Sequence, residues 1–372
     1  LLLVTDMATI PTGQGPLESP TTMALPSLGS HTLEYGYDDL YRLTDATYSG
    51  DITATYSYVY DAVGNMKAYS ETVGAETSSV NRNFDDANQL LVSMDTELGT
   101  TSFYHDGNGN LDQILPPGIN PGEAGEQLYT FDQRNLITQY QVGAGGSIYD
   151  TVAEYVYDGG SNRLQQIDSS GTTPITITYT NDNAGMSQVL VSDDGTTTTY
   201  NLFGLDLIQQ DDDSETRTLL VDGLGSARVE MVGNTIETDT TYEPYGKLLA
   251  QSGSSGTVYS YTGEQHDAAT SLVYLRARYY NPSLKAFMSR DPFPGWATLP
   301  ASQHPYSYVG NNPINFVDPS GHDRCGVAGT VCEDEPPLTP TPTKKPILVT
   351  IPIPIETCTD TPIIVRDVKH GL

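Results

Sequence analysis

Thr55-Tyr-Ser-Tyr-Val-Tyr-Asp-Ala-Val-Gly-Asn-Met66 decides how the rest of this chain is read. Alternation at period two puts Tyr56, Tyr58 and Tyr60 on one face of a strand. Asp61 follows, then a turn with Gly and Asn, then Met66 opens a return strand. The carboxylate of such an Asp bonds the turn backbone, and Gly or Asn takes the positive-φ position. Each unit is therefore a hairpin.

The unit recurs. Corners end at Asp38, Asp61, Asp85, Asp106, Asp132 and Asp158, with a degraded seventh at Tyr179-Thr-Asn-Asp182. Successive Asp positions lie 23, 24, 21, 26, 26 and 24 residues apart, a fixed period that marks a repeat architecture. Leu43, Met66, Leu90, Leu111, Leu136 and Leu164 are read as the apolar residues that open the return strands. Stacked hairpins build one long twisted antiparallel sheet, so the fold class is all-β. With 25 Tyr, 35 Gly and 17 Lys plus Arg in 372 residues, the composition suits strands and turns. Tyr in preference to Phe predicts a face that stays partly wet, as a shell lining would.

A formal charge of −30 argues against nucleic acid or an anionic membrane as partner, since both need a positive footprint. No run reaches the length of a membrane-spanning helix. The opening Leu1-Leu-Leu-Val lacks an initiator Met, which predicts a piece of a longer protein. Cys325 and Cys332, six residues apart, suit a small disulfide loop in an exported protein and leave Cys358 over. Neither the cysteines nor the six His show zinc-ligand spacing. Asp106-Gly-Asn-Gly-Asn110 offers oxygens at alternate positions, as calcium loops do. Its Leu111 and Pro117 stand where such a loop needs Gly and Glu, so a plain turn is expected. Asp222-Gly-Leu-Gly225 lacks the Lys-Ser/Thr and helix of a phosphate cradle. No cofactor and no metal site is expected.

Four segments follow: 1–30 as a connector, 31–215 as repeats, 216–321 with denser motifs, and 322–372 as a Pro-rich tail. The third carries Asp222-Gly-Leu-Gly-Ser-Ala-Arg228, Tyr242-Glu-Pro-Tyr-Gly246, Leu275-Arg-Ala-Arg-Tyr-Tyr-Asn-Pro282, Met288-Ser-Arg-Asp-Pro292 and Phe316-Val-Asp-Pro-Ser-Gly321. These motifs, in this order, resemble the RHS/YD-repeat proteins, with 222–321 similar to their RHS repeat-associated core domain. The resemblance covers about 31–321. It implies hairpins wound into a β-shell, closed by the core, that encapsulates or presents a C-terminal segment. Relatives of that kind include toxin-complex C components, bacterial polymorphic toxins and teneurin shells, so a secreted or cell-surface location is implied. The partners are then the chain's own C-terminal segment or flanking repeats. Seven or eight hairpins are few for a closed cage, so flanking sequence is expected to complete it.

The resemblance also implies aspartyl-type self-cleavage near the Asp-Pro-x-Gly segment. Asp291 and Asp318 are the candidate acid and base, with Arg290 placed to hold a carboxylate or oxyanion. The alternative makes both Asp-Pro pairs ordinary turn initiators. Two positions depart from the family pattern: Lys285-Ala-Phe287 stands for Gly-Arg-Phe, and His322 stands for Leu. They leave cleavage open. A third reading makes the Tyr rows a surface that stacks glycans or binds proteins, set against the commoner role of such rows as cross-strand packing.

Overall fold

The computed structural model describes residues 21–25, 29–204, 206–295, 300–322 and 324–326. All lie in one compact unit, Leu1–Pro336. The Pro-rich tail, Cys332 and Cys358 lie outside the described residues.

Twenty-one strands, from Thr21–Leu25 to Leu248–Ser252, form one sheet in which each strand pairs antiparallel with the next. The first and last strands do not pair with each other among the described residues, so the sheet is not a closed barrel. The strand Thr21–Leu25 arises within the expected connector. The sheet also runs on through Thr216–Val221, Ala227–Val232, Thr235–Tyr242 and Leu248–Ser252, past the motif change at 216.

The corners explain this continuity. Asp61 Oδ1 accepts the amides of Val63 and Asn65 at 3.1 and 2.9 Å, and Asp106 Oδ1 those of Asn108 and Asn110 at 2.8 and 2.9 Å. Asp38, Asp85, Asp132 and Asp158 repeat the pattern, with acceptance from the second and fourth residues onward. A positive φ sits three residues after each Asp, at Tyr41, Gly64, Asn88, Gly109, Asn135 and Ser161. Asp222 does the same through Leu224 and Ser226, with Gly225 at φ 84°. Asp222-Gly-Leu-Gly-Ser226 is thus one more corner of the wall. Among the described residues Asp182 keeps only the bond to Ala184, in line with its degraded sequence. The Asp106 carboxylate is spent on its own turn, and no group of three metal-ligating side chains occurs among the described residues.

After the wall the chain folds into a small four-stranded sheet, from Gln265–Asp267 to Ala286–Phe287, which packs against the larger one as a plug. Leu33, Tyr35, Tyr48, Tyr56 and Tyr58 bury against Tyr245 and Ile314. Phe103, Tyr129, Tyr140 and Tyr155 bury against Leu272, Tyr274, Tyr279 and Met288. The Tyr48 hydroxyl donates to Tyr242 O at 3.0 Å across 194 residues, so the sheet curls until its last corner meets its first hairpins. Tyr56 and Tyr58 are only 2 % exposed, which corrects the wet-lining expectation. Tyr245, from the sheet's own last corner, and Ile314 cover Tyr56 and Tyr58, while the plug covers Phe103, Tyr129 and Tyr155, because aromatic area gains most by leaving water. The same burial removes these tyrosines as a glycan platform.

One return strand departs from expectation. Leu43, Met66, Leu90 and Leu111 point inward five residues after their Asp, and both Leu136 and Ile137 are buried. After Asp158, however, Leu164 is exposed and the inward residue is Arg163. It crosses into the plug.

His304 fixes another seam. Its Nδ1 accepts the amides of Tyr306 and Ser307 at 3.1 and 2.9 Å, and its Nε2 meets Asn65 Oδ1 at 2.9 Å on a wall corner. Only the neutral ring can accept two amides at Nδ1. Burial pushes its pKa down to about 4 against the opposing charge of Asp61. A depressed base contributes stability above its unfolded value, and that stability is lost as pH falls. From pH 8 to pH 5, opening of the loop around 304–307 should rise about 30-fold for this group alone. Hydrogen exchange of the Tyr306 and Ser307 amides, corrected for intrinsic rates, checks this. His304→Asn should flatten the response.

Candidate functional site

The strands Leu272–Leu275 and Arg278–Asn281 join through a tight turn in which Arg276 takes φ 62°. The Asp-Pro-Ser-Gly segment crosses this turn, and Ala277 N donates to Ser320 O at 3.2 Å. Gly321 is required there. It has φ 75°, and a Cβ on it would lie 2.3 Å from Leu275 O and 2.9 Å from Arg278 N. Phe316–Val317 then pairs with Cys325–Gly326, so Asp318–His322 lie in the connection between these two strands. Cys325 is disulfide-bonded, and both cysteines that the sequence offers as partners, Cys332 and Cys358, lie outside the described residues.

Asp291 and Asp318 meet at this loop, but through Arg278. Arg278 Nη2 lies 2.9 Å from Asp291 Oδ2 and 3.5 Å from Asp318 Oδ2. Its Nε donates to Gly321 O, its Nη1 donates to Pro305 O at 3.3 Å, and its guanidinium stacks 3.7 Å from the Phe287 ring. Asp318 Oδ1 accepts the amides of Gly321 and His322 at 2.8 and 3.0 Å. Asp291 Oδ1 accepts the Phe293 amide at 2.9 Å and lies 3.9 Å from His322 Nδ1. Both Asp residues are therefore turn initiators as well as members of one cluster. Burial raises the Asp318 pKa to about 6, more than Arg278 and the amides lower it.

Arg290 does not hold these carboxylates. Its side chain is exposed, with no acidic oxygen within 4.0 Å among the described residues. Arg278 turns inward from its strand, whereas Arg290 lies beyond the last plug strand and lines a neighbouring cavity. Arg278 lay inside the Leu275–Pro282 motif, but its partners arrive from 13 and 40 residues further on, beyond any local spacing signal. His322 borders the same cavity, one of about 400 Å³ lined by Arg134, Arg276 and Arg290.

Among the described residues no helix is long and apolar enough to cross a membrane. Comparison with known proteins gives a consistent result. A tRNA3(Ser)-specific nuclease WapA of Bacillus spizizenii is 29 % identical over 278 residues, covering 71 % of this chain and 11 % of the relative. Toxin subunit YenC1 of Yersinia entomophaga is 25 % identical over 292 residues, covering 71 % of this chain and 28 % of the subunit. This chain thus spans about a tenth of the first and about a quarter of the second. The crystal structure of TcdB2-TccC3-Cdc42 superimposes with a TM-score of 0.52 at 16 % identity, over 82 % of this chain and 18 % of that one, a likeness of fold. Over residues 18–314 the sequence matches the family described as Teneurin YD-shell, and the chain belongs to that family.

Proposed function

We propose that this chain is a wall segment of a YD shell, closed by its plug, in an exported protein that encapsulates or presents its own C-terminal segment. One observation carries this reading. The inner Tyr face is dry because the 272–288 hairpins, Tyr245 and Ile314 cover it, and the chain leaves this packing by way of the Asp318–Gly321 segment, which is pinned by its own hydrogen bonds. A secreted or cell-surface location and the flanking repeats needed for a whole cage belong to the same reading. WapA and YenC1 are nuclease and toxin by name, and those activities are not carried over to this chain. Limited proteolysis of the full-length protein tests the proposal. The segment after residue 326 should resist digestion in the folded protein and be cut once the plug is loosened. Equal digestion in both states would reject it.

The junction geometry favours a second reading, self-cleavage at the Gly321–His322 bond. Arg278 Nε polarises the Gly321 carbonyl and faces the oxyanion that forms as water adds. Asp291 takes the proton of that water. Asp318 Oδ1 accepts the His322 N–H at 3.0 Å in the resting state; once the nitrogen turns pyramidal, the protonated Oδ2 of the same carboxyl gives its proton to the leaving amine as the C–N bond breaks. The products are a Gly321 carboxyl and a His322 amine. Because Asp318 holds its proton below about pH 6, cleavage should run faster at pH 5 than at pH 8. A denaturing gel with intact mass checks it. The wild type should yield a fragment beginning at His322, and Asp291→Asn should stay whole. A wild-type chain that stays whole at both pH values removes this reading and leaves the shell untouched.

A further inference from the structure

Four guanidiniums from separate parts of the chain line the cavity of about 400 Å³ beside the junction. Arg134 belongs to a wall corner, Arg276 and Arg278 to the plug hairpin, and Arg290 to the segment before Asp291. The whole chain has 17 Lys plus Arg against 47 Asp plus Glu, yet no Asp or Glu is among the cavity's described lining residues. The carboxylates that neutralise three of these arginines stand outside the lining. Arg134 pairs with Asp132 at 2.8 Å, Arg276 with Glu264 at 2.8 Å, and Arg278 with Asp291 and Asp318. Arg290 has no such partner among the described residues, so it is the one cation here whose charge is not already met by a carboxylate.

A guanidinium carries five N–H groups, and these pairs use only part of them. Arg276 spends Nε and Nη1 on Ser187 O, Pro319 O and Glu264, which leaves Nη2. Ser161, Asn162 and Ser320 add hydroxyl and amide groups to the wall of the cavity. A planar carboxylate meets one guanidinium fork well. A tetrahedral anion presents oxygens to donors that converge from several directions.

We propose that this cavity binds a dianionic tetrahedral oxyanion, inorganic phosphate or a phosphate monoester, with Arg290 as its principal ligand. Arg134 and Arg276 frame the anion from the wall and from the plug. A bound anion therefore ties plug to wall beside the tail's exit. The proposal does not depend on self-cleavage.

Calorimetric titration of the full chain tests it, with inorganic phosphate in one arm and N-acetyl-O-phosphoserine in the other. Acetate at matched ionic strength is the comparison. Phosphate should bind saturably and raise Tm, since a ligand of the folded state stabilises it. Arg290→Gln should weaken binding by about tenfold or more, and Arg290→Lys by less. Arg42→Gln, at a corner outside the cavity lining, should bind as the wild type does. Binding in both arms identifies the phosphate group as the ligand, and binding of phosphate alone identifies the free anion. No saturable heat in either arm up to about 50 mM, an Arg290→Gln variant that binds like wild type, or equal binding of acetate would each overturn the proposal.

Discussion

Replacing Arg163 by Met should cost about 3–5 kcal/mol of stability, the loss expected when one partner of a buried ion pair is removed. Arg163 is 2 % exposed, and its Nη1 lies 2.6 Å from Asp267 Oδ2. Nη2 donates to Gln265, and the guanidinium lies 4.4, 5.1 and 5.6 Å from the ring centroids of Tyr274, Tyr179 and Tyr155. The Arg163 amide donates to the Tyr274 hydroxyl at 3.0 Å as well. A wall strand is thereby bolted to the plug at one point. Met fills similar space but leaves the Asp267 carboxylate buried without its cation, and that desolvation dominates the loss. Urea denaturation of wild type, Arg163→Met and Arg163→Met/Asp267→Asn separates the causes. The double variant should regain part of the loss. A single variant within about 1 kcal/mol of wild type would show that the bolt contributes little.

Gly321→Ala should unseat the junction without unfolding the wall. A methyl group there meets Leu275 O at 2.3 Å and Arg278 N at 2.9 Å, and both are backbone atoms of a paired turn that cannot swing aside. The positive φ of 75° adds about 1–2 kcal/mol for a side chain, and overpacking adds about 1–3 kcal/mol. Residue 321 and His322 should then exchange their Asp318-bound amides about 100-fold faster, while the main unfolding midpoint moves far less. Gly195→Ala is the matched control. It too has positive φ, at 84°, but nothing lies within 4 Å of its Cβ position. Equal amide rates in Gly321→Ala and wild type would mean that the tail's exit is not held by this contact.

Much of the fold was legible because its rules are local. Alternation placed Tyr56 and Tyr58 on one face, and the Asp corner with positive φ three residues on is a turn that needs no distant partner. The inward position five residues after the Asp was only half read. Taking Leu164 as inward followed hydrophobicity, whereas the offset itself pointed to Arg163. The dry Tyr face was not legible, since it depends on Tyr245, Ile314 and the 272–288 hairpins arriving from far along the chain. At the junction, Asp291 and Asp318 were singled out through the family resemblance, and both lie against Arg278. The cation between them was misassigned to Arg290. The family resemblance suggested Arg290, but tertiary packing on Phe287 delivers Arg278 instead.

The central proposal is that these hairpins form the wall of a shell, closed by its plug, that encapsulates the chain's own C-terminal segment. A cryo-electron microscopy map of the full-length protein tests it most directly. The account predicts that flanking repeats continue this sheet around an interior, and that density after residue 326 lies inside it. A sheet that ends in solvent, with the tail running outward from the Asp318–Gly321 exit, would contradict it.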